Sequence, residues 1–134
     1  MFYIWKPFAK KKSIPYFISP CDKNPLSIAG IWEEKDDFDE KAHHTFIMIT
    51  KSSEEGMTPY KENMPMRLSK KNAASWMNKN TPIKEIKEII KAQFTLPLIA
   101  HPVSPLISNL SIDSPSLIKH SQPSDQYGNY TLFQ

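Results

Sequence analysis

The sequence Asn24-Pro25-Leu26-Ser27-Ile28-Ala29-Gly30-Ile31-Trp32-Glu33 is the stretch around which we expect the fold to form. Proline is tolerated at the start of a strand, and the residues after Pro25 are branched, small or aromatic, which predicts a buried strand. At its end the large ring of Trp32 precedes the carboxylate of Glu33. A carboxylate that loses hydration against an aromatic wall can serve as a general acid or base. Glu33 is therefore a candidate catalytic residue, with the alternative that it only begins the solvated run Glu34-Lys35-Asp36-Asp37.

The composition fits one domain with a mildly basic surface. The chain has 134 residues, of which 40% are hydrophobic, so it can bury a core of moderate size. The 17 Lys and Arg exceed the 14 Asp and Glu by a formal charge of +3, which permits nucleic-acid binding without indicating it. Positive charge is concentrated in Lys10-Lys11-Lys12, in Lys70-Lys71 and in the lysines of residues 79–91, whereas residues 33–40 hold six acids and one lysine. A basic face is one interpretation, and an ordinary solvated surface is the other.

Several classes of site have no support in the sequence. Cys21 is the single cysteine and lies in a predicted turn, which is typical of a reduced thiol in a cytoplasmic protein. No stretch reaches the roughly 18 apolar residues of a membrane-spanning helix, so no membrane partner is expected. The adjacent His43 and His44 would point to opposite faces of a strand, and three glycines in the whole chain leave no phosphate-binding loop. We therefore expect neither a metal nor any other cofactor.

The hydrophobic pattern predicts an α+β fold. Strand signals occupy residues 2–5, 14–19, 25–33, 44–50, 64–68 and 96–101, and the first three are expected to form a meander. Residues 33–41 read as a loop. Residues 119–134 lack any period, which predicts a flexible C-terminal tail after a domain that spans residues 1–118.

Two short amphipathic helices are expected between the last two strands. Ser69 is the predicted cap of the first, which runs to about Asn78 and places Ala73, Trp76 and Met77 on one face. Thr81 and Pro82 have the residue types of an N-cap and first helical position, and an isoleucine stripe follows them at positions 83, 86, 89 and 90.

An ordered series of short motifs extends along most of the chain. It consists of Phe2-Tyr3-Ile4-Trp5-Lys6, Ala29-Gly30-Ile31-Trp32-Glu33, Met64-Pro65, Trp76, Pro102-Val103-Ser104, and Asn109 with Ser114-Pro115-Ser116-Leu117-Ile118. Taken together, the series resembles the SOS-response-associated peptidase (SRAP) family. The resemblance implies an antiparallel, barrel-like sheet with short flanking helices. It also implies binding and covalent crosslinking of abasic sites in single-stranded DNA, together with autopeptidase activity.

The resemblance assigns roles to individual positions. The family's catalytic glutamate falls on Glu33, and Ile4 stands where the family's Phe-Tyr-Glu-Trp motif has a glutamate. Lys61 takes the position of the catalytic histidine, although an ammonium group is a poor proton shuttle at neutral pH. Asn63 takes the position of a DNA-contacting arginine. The DNA contacts that we expect are made by Lys10, Lys11, Lys12, Lys61, Asn63 and Arg67.

The family's nucleophile is a cysteine at the N-terminus of a segment that precedes the Phe-Tyr-x-Trp motif. The sequence in hand starts with Met1 and Phe2, so we expect a fold truncated at the N-terminus and a chain that by itself neither crosslinks nor cleaves. Its DNA binding is then expected to be weak. The alternative function is a non-catalytic interaction protein, or a half-domain that complements a separate N-terminal fragment or self-associates.

Overall fold

The computed structural model of the chain describes residues 1–36, 42–53, 57, 59–92 and 96–131. Two units can be distinguished, and each is described by itself. The first unit comprises Met1–Pro25, Ser53–Glu62 and Leu96–Gln134, and the second comprises Leu26–Ser52 and Asn63–Thr95.

A three-stranded antiparallel sheet forms the centre of the first unit. Its strands are β1 (Phe2–Phe8), β2 (Lys12–Pro20) and β9 (Leu98–Pro102), in the order β1-β2-β9. Strand β2 is central, and its Ile14, Phe17 and Ile18 are buried, together with Ile4 of β1 and Val103 just after β9. Two short 3-10 helices, Pro105–Ser108 and Pro115–Ile118, follow β9. The aromatic start of the chain and the second strand are thus confirmed as a hairpin.

The residues that follow the second 3-10 helix make specific contacts with β2. The Gln126 backbone N–H donates to the Ser13 carbonyl at 3.1 Å, and the Ser13 N–H donates to Gln126 Oε1 at 2.7 Å. Ser124 and Asp125 are buried. The mobility of residues 119–134 stays a prediction, but the sequence pattern gave no sign of these contacts because they join residues more than a hundred positions apart.

Three two-stranded antiparallel ladders form the strand part of the second unit. They pair β3 (Ser27–Ile28) with β8 (Arg67–Leu68), β4 (Gly30–Asp36) with β5 (Ala42–Met48), and β6 (Thr50–Ser52) with β7 (Asn63–Pro65). Between them lie Ala29, Ile49 and Met66, which are joined by backbone hydrogen bonds. The Ala29 N–H donates to the Met66 carbonyl at 2.9 Å and the Ile49 N–H donates to the Ala29 carbonyl at 3.0 Å. The Met66 N–H donates to the Ile49 carbonyl at 2.9 Å.

This junction explains why the stretch 25–33 is not the single buried strand that the sequence predicts. The chain changes partner at Ala29, from β8 on one side to β5 on the other. Ala29 is fully buried, but Ile31 and Trp32 beyond it are 60% and 66% exposed. The predicted meander is also wrong, because neither β3 nor β4 pairs with β2, and β4 continues to Asp36 inside the predicted acidic loop. The rest of that loop, residues 37–41, lies outside the described residues.

Both predicted helices are present, as α1 (Lys70–Met77) and α2 (Ile83–Lys91). The Ser69 side chain caps α1 by accepting from the Asn72 N–H at 3.1 Å, as its sequence predicts. Trp76 packs against a core of Ala29, Met66, Leu68 and Ile89. The indole N–H of Trp76 also donates to the Gly30 carbonyl at 3.0 Å, which fastens α1 to the start of β4.

Two details of the helices differ from the expectation. Met77 is exposed instead of packing beside Trp76. The Thr81 hydroxyl does not cap α2, whose N-cap position is Pro82 and carries no side-chain hydrogen bond. The hydroxyl instead donates to the Ser75 carbonyl of α1 at 2.6 Å. The predicted α+β class, with antiparallel sheets and two short helices, is confirmed, whereas closure of the sheets into a barrel is not shown.

Candidate nucleic-acid interface

The basic run Lys10-Lys11-Lys12 lies at the tight turn between β1 and β2. Ala9 and Lys11 adopt left-handed backbone conformations, with φ of 52° and 62°, which reverses the chain within a few residues. All three lysines are exposed. The turn therefore presents a compact group of cations to solvent, as an electrostatic DNA contact requires.

One of these lysines already has a partner within the chain. Lys12 Nζ lies 3.0 Å from Oδ2 of Asp125, whose side chain is fully buried. Burial acts to raise the pKa of Asp125, but hydrogen bonds from Asn129, Lys12 and the Tyr127 backbone outweigh it and lower the pKa to about 2. The carboxylate is thus ionised at neutral pH and neutralises much of the charge of Lys12. The remaining charge of this turn resides on Lys10 and Lys11.

Lys61 is exposed in the segment of the first unit that follows Ser53. The Lys61 N–H donates to the Met57 carbonyl at 3.2 Å, and the Lys61 carbonyl accepts a hydrogen bond from the Ser53 hydroxyl. These contacts fix the backbone of Lys61 and leave its ammonium group in solvent. That geometry suits a phosphate contact and gives no sign of a desolvated lysine.

Tyr60, which precedes Lys61 in the chain, belongs to a lysine–tyrosine cluster with Lys6 and Tyr16 that the sequence analysis missed. Lys6 Nζ lies 5.9 Å from the ring centroid of Tyr16 and 5.3 Å from that of Tyr60. The two rings meet edge to face, with centroids 5.0 Å apart and planes at 69°. Burial, and next the proximity of Tyr60, raise the pKa of Tyr16. The adjacency of Tyr60 and Lys61 was the only local signal available.

In the second unit, Glu33 does not lie in the desolvated setting that its sequence predicts. It is exposed on β4 opposite Thr45, whose hydroxyl donates to Glu33 Oε1 at 3.4 Å. Trp32 is its neighbour on a strand and so points to the other face, where its ring lies 6.0 Å from that of His44. The aromatic wall proposed for Glu33 is therefore wrong, because alternation separates the two side chains. The catalytic role of Glu33 stays a prediction.

Asn63 and Arg67 differ in accessibility. Asn63 is exposed on β7 opposite Ser52, where it can reach a ligand. Arg67 is only 9% exposed on β8, opposite Ile28, and this burial does not suit an open phosphate contact. Within each unit, then, the structure places Lys10, Lys11 and Lys61 on the surface of the first and Glu33 and Asn63 on the surface of the second.

The chain matches the family of SOS response associated peptidases (SRAP) over residues 1–110. It belongs to the SRAP family. It is 28% identical over 121 residues to the abasic site processing protein YedK of Escherichia coli K12, an alignment that covers 86% of this chain and 52% of YedK. The chain therefore spans about half the length of this curated SRAP relative.

Solved structures agree with the SRAP assignment at the level of the fold. A protein from Bacteroides thetaiotaomicron is 25% identical and superposes with a TM-score of 0.76, covering 90% of this chain and 53% of that one. A protein from Bordetella bronchiseptica, 19% identical, gives a TM-score of 0.61 over 76% of this chain and 51% of its own. The resemblance that the ordered motifs indicated is thus confirmed.

Two further observations concern the described part of this SRAP chain. Its helices include none that is long and apolar enough to cross a membrane. Among the same residues, no three His, Cys, Asp or Glu side chains come close enough together to hold a metal ion. Cys21 is a free and exposed thiol.

Proposed function

We propose that this chain, as a member of the SRAP family, binds single-stranded DNA during the processing of abasic sites. The observation that carries the proposal is the SRAP match over residues 1–110, since a protein 28% identical to this chain is an abasic site processing protein. A DNA-damage function of this kind needs a surface that attracts phosphate. The exposed cations of the first unit, Lys10, Lys11 and Lys61, supply such charge.

The binding that we propose is mainly electrostatic. Each phosphate neutralised by a lysine releases counterions, so the affinity falls as salt rises, with a slope of about 0.7 per contact on single strands. We therefore expect a total slope of about 2 for three phosphate contacts, made by Lys10, Lys11 and Lys61. Lys12 contributes less, because Asp125 already compensates its charge. On the second unit, Asn63 is proposed as a separate, neutral hydrogen-bonding contact, whereas Arg67 is not proposed as a contact because it is buried.

The polypeptide of these 134 residues is proposed to bind DNA without crosslinking to it. An aldehyde at an abasic site closes a thiazolidine ring only with a thiol and a free amine on neighbouring carbons, which an N-terminal cysteine provides. Cys21 is an internal residue whose nitrogen is an amide that donates to the Pro97 carbonyl at 3.1 Å. The exposed Glu33 carboxylate can serve as a base only where another group supplies the nucleophile.

The test uses single-stranded oligonucleotides with and without an abasic site. Incubation followed by a denaturing gel should show no heat-stable adduct, while fluorescence anisotropy at low salt should show weak binding of both oligonucleotides. Cys21→Ser should leave both results unchanged. A heat-stable adduct that survives Cys21→Ser would show that the chain carries a nucleophile of its own, and absence of any binding at low salt would refute the DNA-binding function.

A second candidate function is a half-domain that complements a separate polypeptide. The β4–β5 hairpin favours it, because Trp32 and Phe46 lie opposite each other on the ladder and are 66% and 81% exposed. On the other face, Ile31 and Ile47 form a second exposed pair. Apolar side chains exposed on both faces of a ladder are unusual for a free surface. Co-expression with the product of an upstream reading frame, followed by co-purification, tests this candidate against the first.

A further inference from the structure

The lysine–tyrosine cluster combines a cation with two aromatic rings on one surface of the first unit. Tyr16 lies on the central strand β2, and Lys6 lies on β1 on the same face of the ladder, since Lys6 pairs with Ile14 two residues away. Tyr60 is held by its backbone N–H, which donates to the Met57 carbonyl at 2.9 Å. None of the three side chains is fully buried. The rings are therefore placed before any ligand arrives.

Proteins that bind single strands combine cations for the phosphates with aromatic rings on which unpaired bases stack. The lysine–tyrosine cluster has both components, and the next residue after Tyr60 is the exposed cation Lys61. We propose that the cluster is a stacking subsite for one unpaired base of single-stranded DNA, with Lys61 against an adjoining phosphate. The inference rests on the proposed function, because it names the surface on which that binding is centred.

Two features favour a nucleic acid over an acidic peptide at this position. The rings offer π surface, which every base can use and which a carboxylate side chain cannot. The segment that carries Tyr60 is also braced, since the Ser53 N–H donates to the Glu62 carbonyl at 2.7 Å, and a ring held in place costs little entropy when a base stacks on it. A carboxylate-rich ligand would gain from the ammonium groups alone.

The chain offers matched variants for a test. Tyr60→Leu removes the ring, and Tyr60→Phe keeps it without the hydroxyl. Tyr3→Leu is the control, because Tyr3 lies on β1 at an odd position and so faces away from Lys6, with its ring 5.5 Å from that of Phe17. Binding to a fluorescent oligothymidine of about 15 nucleotides, near the upper site size of a single-strand binding module, is measured by anisotropy. Circular dichroism confirms that each variant is folded.

We expect Tyr60→Leu to weaken binding by about fivefold or more, the lower end of what one base–aromatic contact contributes. Tyr60→Phe and Tyr3→Leu should stay within about twofold of the parent. Preference for single strands over duplex should fall in Tyr60→Leu alone.

Each contrary result has a definite meaning. If Tyr60→Leu binds DNA as tightly as the parent, or if Tyr3→Leu weakens binding as much as Tyr60→Leu does, the stacking subsite is refuted and the proposed function is unaffected. No binding of the parent would overturn both. Displacement of the oligonucleotide by polyglutamate as readily as by unlabelled oligothymidine would show that the cluster recognises charge, and would overturn the stacking assignment.

Discussion

Replacement of Ile89 by alanine tests whether α2 is anchored as the structure shows. Ile89 is 5% exposed and packs in the core of the second unit with Ala29, Met66 and Leu68, whereas Ile83 on the same helix is 70% exposed. The same change at the two positions therefore removes a buried side chain in one variant and an exposed one in the other. Ile83→Ala is the matched control.

The expected magnitudes follow from burial. Truncation of a buried isoleucine to alanine costs about 2–5 kcal/mol of unfolding free energy through lost burial and the cavity left behind. The better helix propensity of alanine returns a few tenths of a kcal/mol, so about 2–4 kcal/mol should remain. For a chain of this size that corresponds to roughly 8–16 °C in Tm. Ile83→Ala should stay within about 0.5 kcal/mol of the parent.

Thermal and urea unfolding, followed by far-ultraviolet circular dichroism, measure both variants under identical conditions. A loss below about 1 kcal/mol for Ile89→Ala would refute the packing of α2, because such a value is typical of a surface substitution. Equal losses in the two variants would also refute it. In that case Ile83 would have to be buried in solution, for instance against a second polypeptide.

Three further predictions concern a buried carboxylate, an exposed apolar ladder and an exposed lysine. The pKa of Asp125 is about 2 in the folded state, below its ordinary 3.8, so the stability that its charge contributes is present above pH 4 and lost as the pH falls from 4 to 2. Asp125→Asn should therefore lower Tm at pH 7, and the difference in Tm between variant and parent should be smallest at pH 2. A Tm difference that does not narrow at low pH contradicts this prediction. Phe46→Lys should reduce self-association in sedimentation velocity at tens of micromolar, whereas Met77→Lys, at another exposed position, should not. Equal effects of the two substitutions would show that the β4–β5 hairpin does not form the self-association contact. Lys61→Ala should lower the salt slope of DNA binding by about 0.7, while Lys12→Ala should lower it less, because Asp125 already compensates Lys12. A larger decrease for Lys12→Ala than for Lys61→Ala would contradict this and would show that DNA contacts the Lys12–Asp125 ion pair.

Local chemistry was enough to predict much of the secondary structure. The β1–β2 hairpin is marked by aromatic and branched residues on both sides of a short lysine turn, and Ser69 marks the start of α1 through a hydrogen bond to a residue three positions on. The isoleucine stripe located α2. Membership of the SRAP family could also be predicted from the sequence, because the family's motifs occur in order along the chain.

Which side chains are buried, and which come together, was settled by pairing between distant residues. Ile31 and Trp32 read as core, yet the change of partner at Ala29 leaves both on an exposed ladder. The ion pair of Lys12 with Asp125 joins positions 113 residues apart, and the cluster of Lys6 with Tyr60 joins positions 54 apart. Periodicity reports the neighbours of a residue along one element, so contacts between elements appear only once the chain has folded.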